Sequence, residues 1–210
     1  MADVIRLGVF FDGTGNNKDN DLAIGDGSQT NVAKIFDLYQ QSNYQVFYKE
    51  GVGTRALTQA EIDSVKAGLS KRNDYYSSTE MALGIGAKDK VLEMMDTITN
   101  QIDQIKRSNP NAKIVVDVYG FSRGAAEARD FINMINTKYA SLNGSMIGFV
   151  GLFDTVATVG LANEYNYNLN LNLNTYSAQQ MVHLTVNDEF RANFPLQSFN
   201  NQHSKPRIAA

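Results

Sequence analysis

The sequence predicts an α/β fold, a three-layer sandwich with a mostly parallel central sheet, and three observations predict it. Short apolar, partly β-branched runs alternate with longer segments of helical periodicity. Each of the clearest runs stops at a Gly- or Asp-bearing turn. The helices between them are long enough to imply parallel pairing.

Val4 to Phe11 is the first such strand, and Asp12-Gly13-Thr14-Gly15-Asn16-Asn17 ends it in a tight turn. The polar stretch from Lys18 to Gln29 reads as flexible. Thr30 or Asn31 then caps a short helix whose apolar positions are Val32, Ile35, Phe36 and Tyr39. Gln45 to Tyr48 is the next strand, and Gly51 to Ser78, polar and broken by glycine, reads as a loop or insertion. A long helix is predicted from about Thr79, since Met81, Ile85, Leu92, Met95, Ile98, Ile102 and Ile105 recur at intervals of three, four or seven, with Asn109-Pro110 as its stop.

Lys113 to Tyr119, with Ile114-Val115-Val116, has the composition of a buried strand and runs into Gly120-Phe121-Ser122-Arg123-Gly124. The helix that follows has Ala128, Phe131, Ile132, Ile135 and Tyr139 on its apolar face and stops at Asn143-Gly144. Met146 to Phe153 is a further strand, ending at Asp154. Asn163 to Asn174 alternates Asn with Leu or Tyr and takes no role at this level. Ala178 to Phe194 is predicted as a helix, and the tail through Ala210 has little to pack. Residues 1–210 read as a single domain.

With 43% hydrophobic and 20% charged residues, the chain has the composition of an ordinary globular protein. Lys and Arg number 19 against 22 Asp and Glu, a net charge of -3, so no broad basic field points to nucleic acid. The absence of cysteine excludes disulfides, thiolate metal ligands and a cysteine nucleophile. The N-terminus reads as a strand rather than an export signal, and no apolar run approaches the ~20 residues of a membrane span. No Sec-type export is implied, the compartment stays open, and any membrane contact is expected from the surface.

Chemistry concentrates in the Gly120-x-Ser122-x-Gly124 spacing. A serine hydroxyl needs a base to take its proton, and its oxygen must stand clear of the sheet. A strained strand-to-helix turn does the second, and the flanking glycines remove side chains that would collide there. The predicted flanks, a β-branched strand and an Ala-rich helix, are those of an α/β-hydrolase-like nucleophile turn. Ser122 is thus the candidate nucleophile and the Arg123 amide a candidate oxyanion donor. The alternative is a Gly-rich turn in which Ser122 merely caps the helix.

Asp154, at the end of the next strand, has the chain position of a triad acid, or it caps a turn. Two histidines, His183 and His203, follow in the right order for the base; His183 falls in a predicted helix and His203 in the polar tail. The glycines of the first loop bring amides close to an anion, either an oxyanion or a phosphate. A magnesium-dependent phosphohydrolase with Asp12 as nucleophile is therefore a rival reading. A non-catalytic interaction module on the same scaffold is another.

Three segments together, Phe10-Phe11-Asp12-Gly13-Thr14-Gly15-Asn16-Asn17, Gly120-Phe121-Ser122-Arg123-Gly124-Ala125 and Gly151-Leu152-Phe153-Asp154-Thr155-Val156, resemble the first family of type VI secretion lipase effectors and its α/β-hydrolase relatives. A fourth, from His183 to Pro195 with Asp188-Glu189-x-Arg191 and Phe194-Pro195, is similar to a helix of that family. The resemblance implies a phospholipase of the A type, an antibacterial toxin delivered into rival cells, with secretion-apparatus and immunity-protein partners and no cofactor or metal. It implies Ser122 as nucleophile, Asp154 as acid, and Gly13 and Thr14 beside the oxyanion. The family's histidine follows its Phe-Pro element in a Gly-x-His-Ser-Asp segment, so the resemblance favours His203, in His203-Ser204, although the glycines are missing.

Overall fold

The computed structural model describes residues 3–42, 44–140, 145–156 and 168–185. In chain order they form β1 (Val4–Phe11), α1 (Lys18–Ile24), α2 (Asn31–Gln41), β2 (Gln45–Lys49), α3 (Gln59–Lys66), a 3₁₀ turn (Arg72–Tyr75), α4 (Ser78–Leu83), α5 (Ala87–Ser108), β3 (Lys113–Phe121), α6 (Arg123–Lys138), β4 (Ile147–Phe153) and β5 (Gln180–Leu184). The five strands make one sheet in the order β2-β1-β3-β4-β5, every pair parallel. The predicted layered α/β fold is what the chain adopts.

Alternation along the strands sorts the core into two layers, because successive side chains leave opposite faces. Leu7, Val9 and Phe11 of β1 join Val116 and Val118 of β3 and Leu152 of β4 beneath α5 and α6, which bury Val91, Ile98, Ile102, Phe131 and Ile135. On the other face Phe10 and Tyr119 pack against Val32 and Phe36 of α2. The Phe10 and Tyr119 rings stack with centroids 5.1 Å apart. Because the chain steps from β1 outward to β2 and then back across to β3, the strand order reverses between β1 and β3. The carboxyl ends of those two strands therefore mark the topological switch point, the place where parallel α/β sheets bind ligands.

Several elements depart from the sequence reading. The stretch read as flexible contains α1, because the Asn17 side chain accepts from the amides of Asp19 and Asn20 and caps a helix start. Thr30 caps α2 as expected, accepting from Ala33. The predicted long helix is two: Gly84 (φ 61°) and Gly86 (φ 91°) adopt left-handed conformations that end α4 and precede α5. Ile85 and Leu92 are accordingly exposed, and Val91 and Met94 take the core positions. Between Gly51 and Ser78, α3 begins at a capping box formed by Thr58 and Glu61.

The predicted helix from Ala178 is wrong over its first part, where Gln180–Leu184 pairs with β4 as a strand; the remainder lies outside the described residues. Of the Asn-rich tract, residues 168–174 run without helix or strand, burying Leu169, Leu171 and Leu173. Arg129 Nε donates to Leu171 O at 2.6 Å and the Asn170 amide to Asp130 Oδ1 at 2.9 Å, clamping this segment to α6. No helix among the described residues is long and apolar enough to cross a membrane.

Helix α6 also buries Glu127 completely, with neither carboxyl oxygen hydrogen-bonded. Burial pushes its pKa well above the usual carboxylate value, against the opposing pull of Lys90, Arg123 and Lys49. The folded state thus holds this proton more tightly than the unfolded chain, and stability attributable to Glu127 falls as pH rises above 4.5. Glu127→Gln is expected to stabilise the chain at pH 7 by about 1–3 kcal/mol and to gain nothing near pH 4, as read from urea denaturation at the two pH values.

Candidate active site

At the end of β3 the backbone turns directly into α6 at Ser122, whose φ of 53° and ψ of -120° are uncommon for an L-residue. Holding such a conformation costs on the order of 1–3 kcal/mol, so surrounding contacts must enforce it. The Ser122 amide donates to Phe153 O at 2.9 Å, and its carbonyl accepts from Ala125 and Val156, each at 3.1 Å. The two glycines are sterically required. A Cβ on Gly120 would lie 2.6 Å from Ala125 Cα, and one on Gly124 would lie 2.4 Å from both Phe11 O and Asp12 O. The collision argued from spacing is present in the geometry, and it brings α6 hard against the end of β1.

The first loop, residues 12–17, leaves β1 beside this turn. Asp12 is buried: Oδ1 accepts from the Gly13 amide at 2.8 Å, and Oδ2 from Thr30 Oγ1 at 2.9 Å and Tyr48 Oη at 2.7 Å. Burial raises its pKa, while these donors hold it down. Asp12 therefore ties the loop to β2 and the cap of α2, with both oxygens engaged, and the phosphohydrolase reading finds no support in its geometry. The Gly13 amide, a candidate oxyanion donor by sequence, is taken by Asp12. The Thr14 and Arg123 amides are the two remaining candidates of the set. Sequence reasoning missed Gly51, whose Cβ, if present, would lie 1.7 Å from Gly13 O, so that only glycine lets the loop after β2 support the first loop.

Asp154 follows β4 immediately, in a left-handed conformation (φ 45°), and its amide donates to Leu184 O at 2.9 Å. It stands one residue beyond the carbonyl that fixes Ser122. His183 lies on β5 beside Leu152, which is itself beside Gly120, so strand register carries this histidine to the same end of the sheet. Its Nε2 is 3.0 Å from Thr155 Oγ1 and accepts from the Thr155 amide at 3.4 Å. Burial, and next the charge of Arg129, depress its pKa to about 4, with Asp154 opposing. The ring is neutral at pH 7, and an amide donor at Nε2 puts its proton on Nδ1. His203, Asp188, Glu189, Arg191, Phe194 and Pro195 lie outside the described residues.

The Arg123 side chain, to which the sequence assigned nothing, is buried and donates to Thr14 Oγ1 at 3.2 Å and to the Met81 carbonyl. No local signal marks these contacts, because the partners lie 109 and 42 residues away.

Compared with known proteins, residues 6–143 match the family described as the type VI secretion phospholipase effector Tle1-like catalytic domain. That span includes the first loop and the Ser122 turn and stops before Asp154. Among solved structures, an uncharacterized protein from Pseudomonas aeruginosa has a similar fold, with a TM-score of 0.56 and 23% identity over 94% of this chain. The chain spans 38% of the length of that protein. No curated protein matches. From the match over β1 to α6, the chain belongs to the Tle1-like family of type VI secretion phospholipase effector catalytic domains.

Proposed function

We propose that the chain is a serine hydrolase that cleaves acyl esters of phospholipids, an effector made in the bacterial cytoplasm and delivered by type VI secretion into target cells. The observation that carries this reading is the strained turn at Ser122, held by β4 and made possible by Gly120 and Gly124. Ser122 Oγ attacks the ester carbonyl carbon while a histidine takes its proton, and the oxyanion forms against the Thr14 and Arg123 amides. The histidinium returns the proton to the departing lysophospholipid oxygen. Water then hydrolyses the acyl-serine by the same base, and Asp154 orients the ring.

His203 is the base in this proposal. His183 reaches the same sheet end, but its Nε2 is occupied by Thr155, which leaves a structural role as the better account. Secretion-apparatus and immunity-protein partners follow from the family and belong to the same proposal.

A fluorophosphonate probe is expected to label Ser122 in the folded chain. His203→Ala is expected to slow labelling about 10²–10³-fold, and His183→Ala less than tenfold. Absence of label on Ser122 would sink the mechanism, and the opposite ranking of the histidine variants would transfer the base to His183.

A further inference from the structure

Arg123 occupies a position that disfavours it twice. It begins α6, where the helix dipole is positive, and burial pulls its pKa down from the usual value. The carboxyl of Glu127, one turn along, opposes this shift. A buried cation at a helix start breaks a local rule of stability, and such breaks concentrate where function requires them. What the side chain holds is informative: Thr14 Oγ1 in the first loop and the Met81 carbonyl in α4.

Helix α4 itself is built to be held there. Its entry is fixed by the Ser77 amide donating to Gly53 O at 3.0 Å, and its exit passes through the left-handed Gly84 and Gly86. Between these ends Met81 seats in a notch shaped by two further left-handed glycines. A Cβ on Gly53 would lie 2.4 Å from Met81 Cγ, and one on Gly15 would lie 3.4 Å from Met81 Sδ. The loop that carries the Thr14 amide and the helix that rests on it thus share one guanidinium, on the residue next to Ser122.

We propose that the Arg123 side chain is a positioning residue for ester hydrolysis, bridging the first loop and α4 so that the Thr14 amide is fixed where the oxyanion forms. The proposal rests on Ser122 being the nucleophile. It extends the role of Arg123 from a backbone donor to the tie that preorganises its partner donor. A misplacement of a donor by about 1 Å costs on the order of 10²-fold in rate, which sets the size of the expected effect.

The full chain is assayed on a short-chain p-nitrophenyl ester, with Ser122→Ala as control, and by hydrogen exchange. Arg123→Ala is expected to lower kcat about 30- to 100-fold with KM within about threefold, and Arg123→Lys to recover part of it. Exchange is expected to rise in residues 13–17 and 78–83 while β3 and α5 stay protected. Thr14→Val, which keeps the amide and removes one arm of the bridge, is expected to lower kcat about tenfold, and the double variant to be no slower than Arg123→Ala. Should Arg123→Ala fail to fold, Thr14→Val and Arg123→Lys carry the same comparison. A kcat within threefold of wild type in Thr14→Val, or unchanged exchange in both segments, would overturn the proposal. Turnover surviving Ser122→Ala would instead overturn the serine mechanism, and the exchange result would still decide whether the tie exists.

Discussion

Replacing Ser122 by glycine is expected to remove ester turnover, by at least about 10³-fold, and at the same time to raise the melting temperature above that of Ser122→Ala by about 2–4 °C. Both variants lose the hydroxyl, so both lose the proposed nucleophile. They differ in backbone freedom. At φ 53° and ψ -120° a Cβ is strained, and glycine relieves a cost on the order of 1–3 kcal/mol. Glycine also loses more freedom on folding, which takes back roughly 0.4–1 kcal/mol. The net gain of about 1 kcal/mol is what remains of the strain after that loss. Thermal melts and p-nitrophenyl ester hydrolysis on the three proteins test both halves. A Ser122→Gly melt at or below that of Ser122→Ala would show that the turn is not strained.

Gly124→Ala is expected to destabilise the chain by about 3 kcal/mol and to cut turnover on the order of 10²-fold. The added methyl would stand 2.4 Å from the carbonyl oxygens of Phe11 and Asp12, and neither can retreat easily. They lie where β1 is hydrogen-bonded between β2 and β3, with the Asp12 amide donating to Lys49 O. The strain therefore falls on α6, which must lift from β1 and carry Ser122 and Arg123 with it. Urea denaturation and ester hydrolysis measure the two effects. A loss of stability below about 1 kcal/mol would mean that α6 slides on the sheet without harm.

Features with local causes were legible in the sequence. The β1, β3 and β4 strands announce themselves as apolar runs, Thr30 as a cap, and Gly120 and Gly124 as positions where a helix doubles back on a strand. What was not legible depends on distant partners. Gln180–Leu184 contains a histidine between Val182 and Leu184 and no clean alternation, and pairing with β4 decides that it is a strand. The α4–α5 break was hidden because Met81, Ile85 and Leu92 kept helical spacing across the two glycines. At the candidate site, Ser122 and Asp154 were singled out through the order of motifs along strand ends, and both stand at the carboxyl end of the sheet. The side-chain bridge from Arg123, the engagement of the Gly13 amide by Asp12 and the seat of His183 against Thr155 arise only when the sheet assembles.

The strand order also governs when the first loop and the Ser122 turn can meet during synthesis. β1 is made before the other four strands but sits in the interior of the sheet, and its partner β3 is made only after α5 is complete. Thr14 and Arg123 are separated by 109 residues, so the two halves of the site cannot meet in a nascent chain that has not yet reached α6. Long-range parallel pairing of this kind is slow to form, since a large loop must close before the contacts that reward it. A nascent chain that has not reached α6 therefore carries the first loop without the serine turn, and the two come together only once β3 and α6 have both been made.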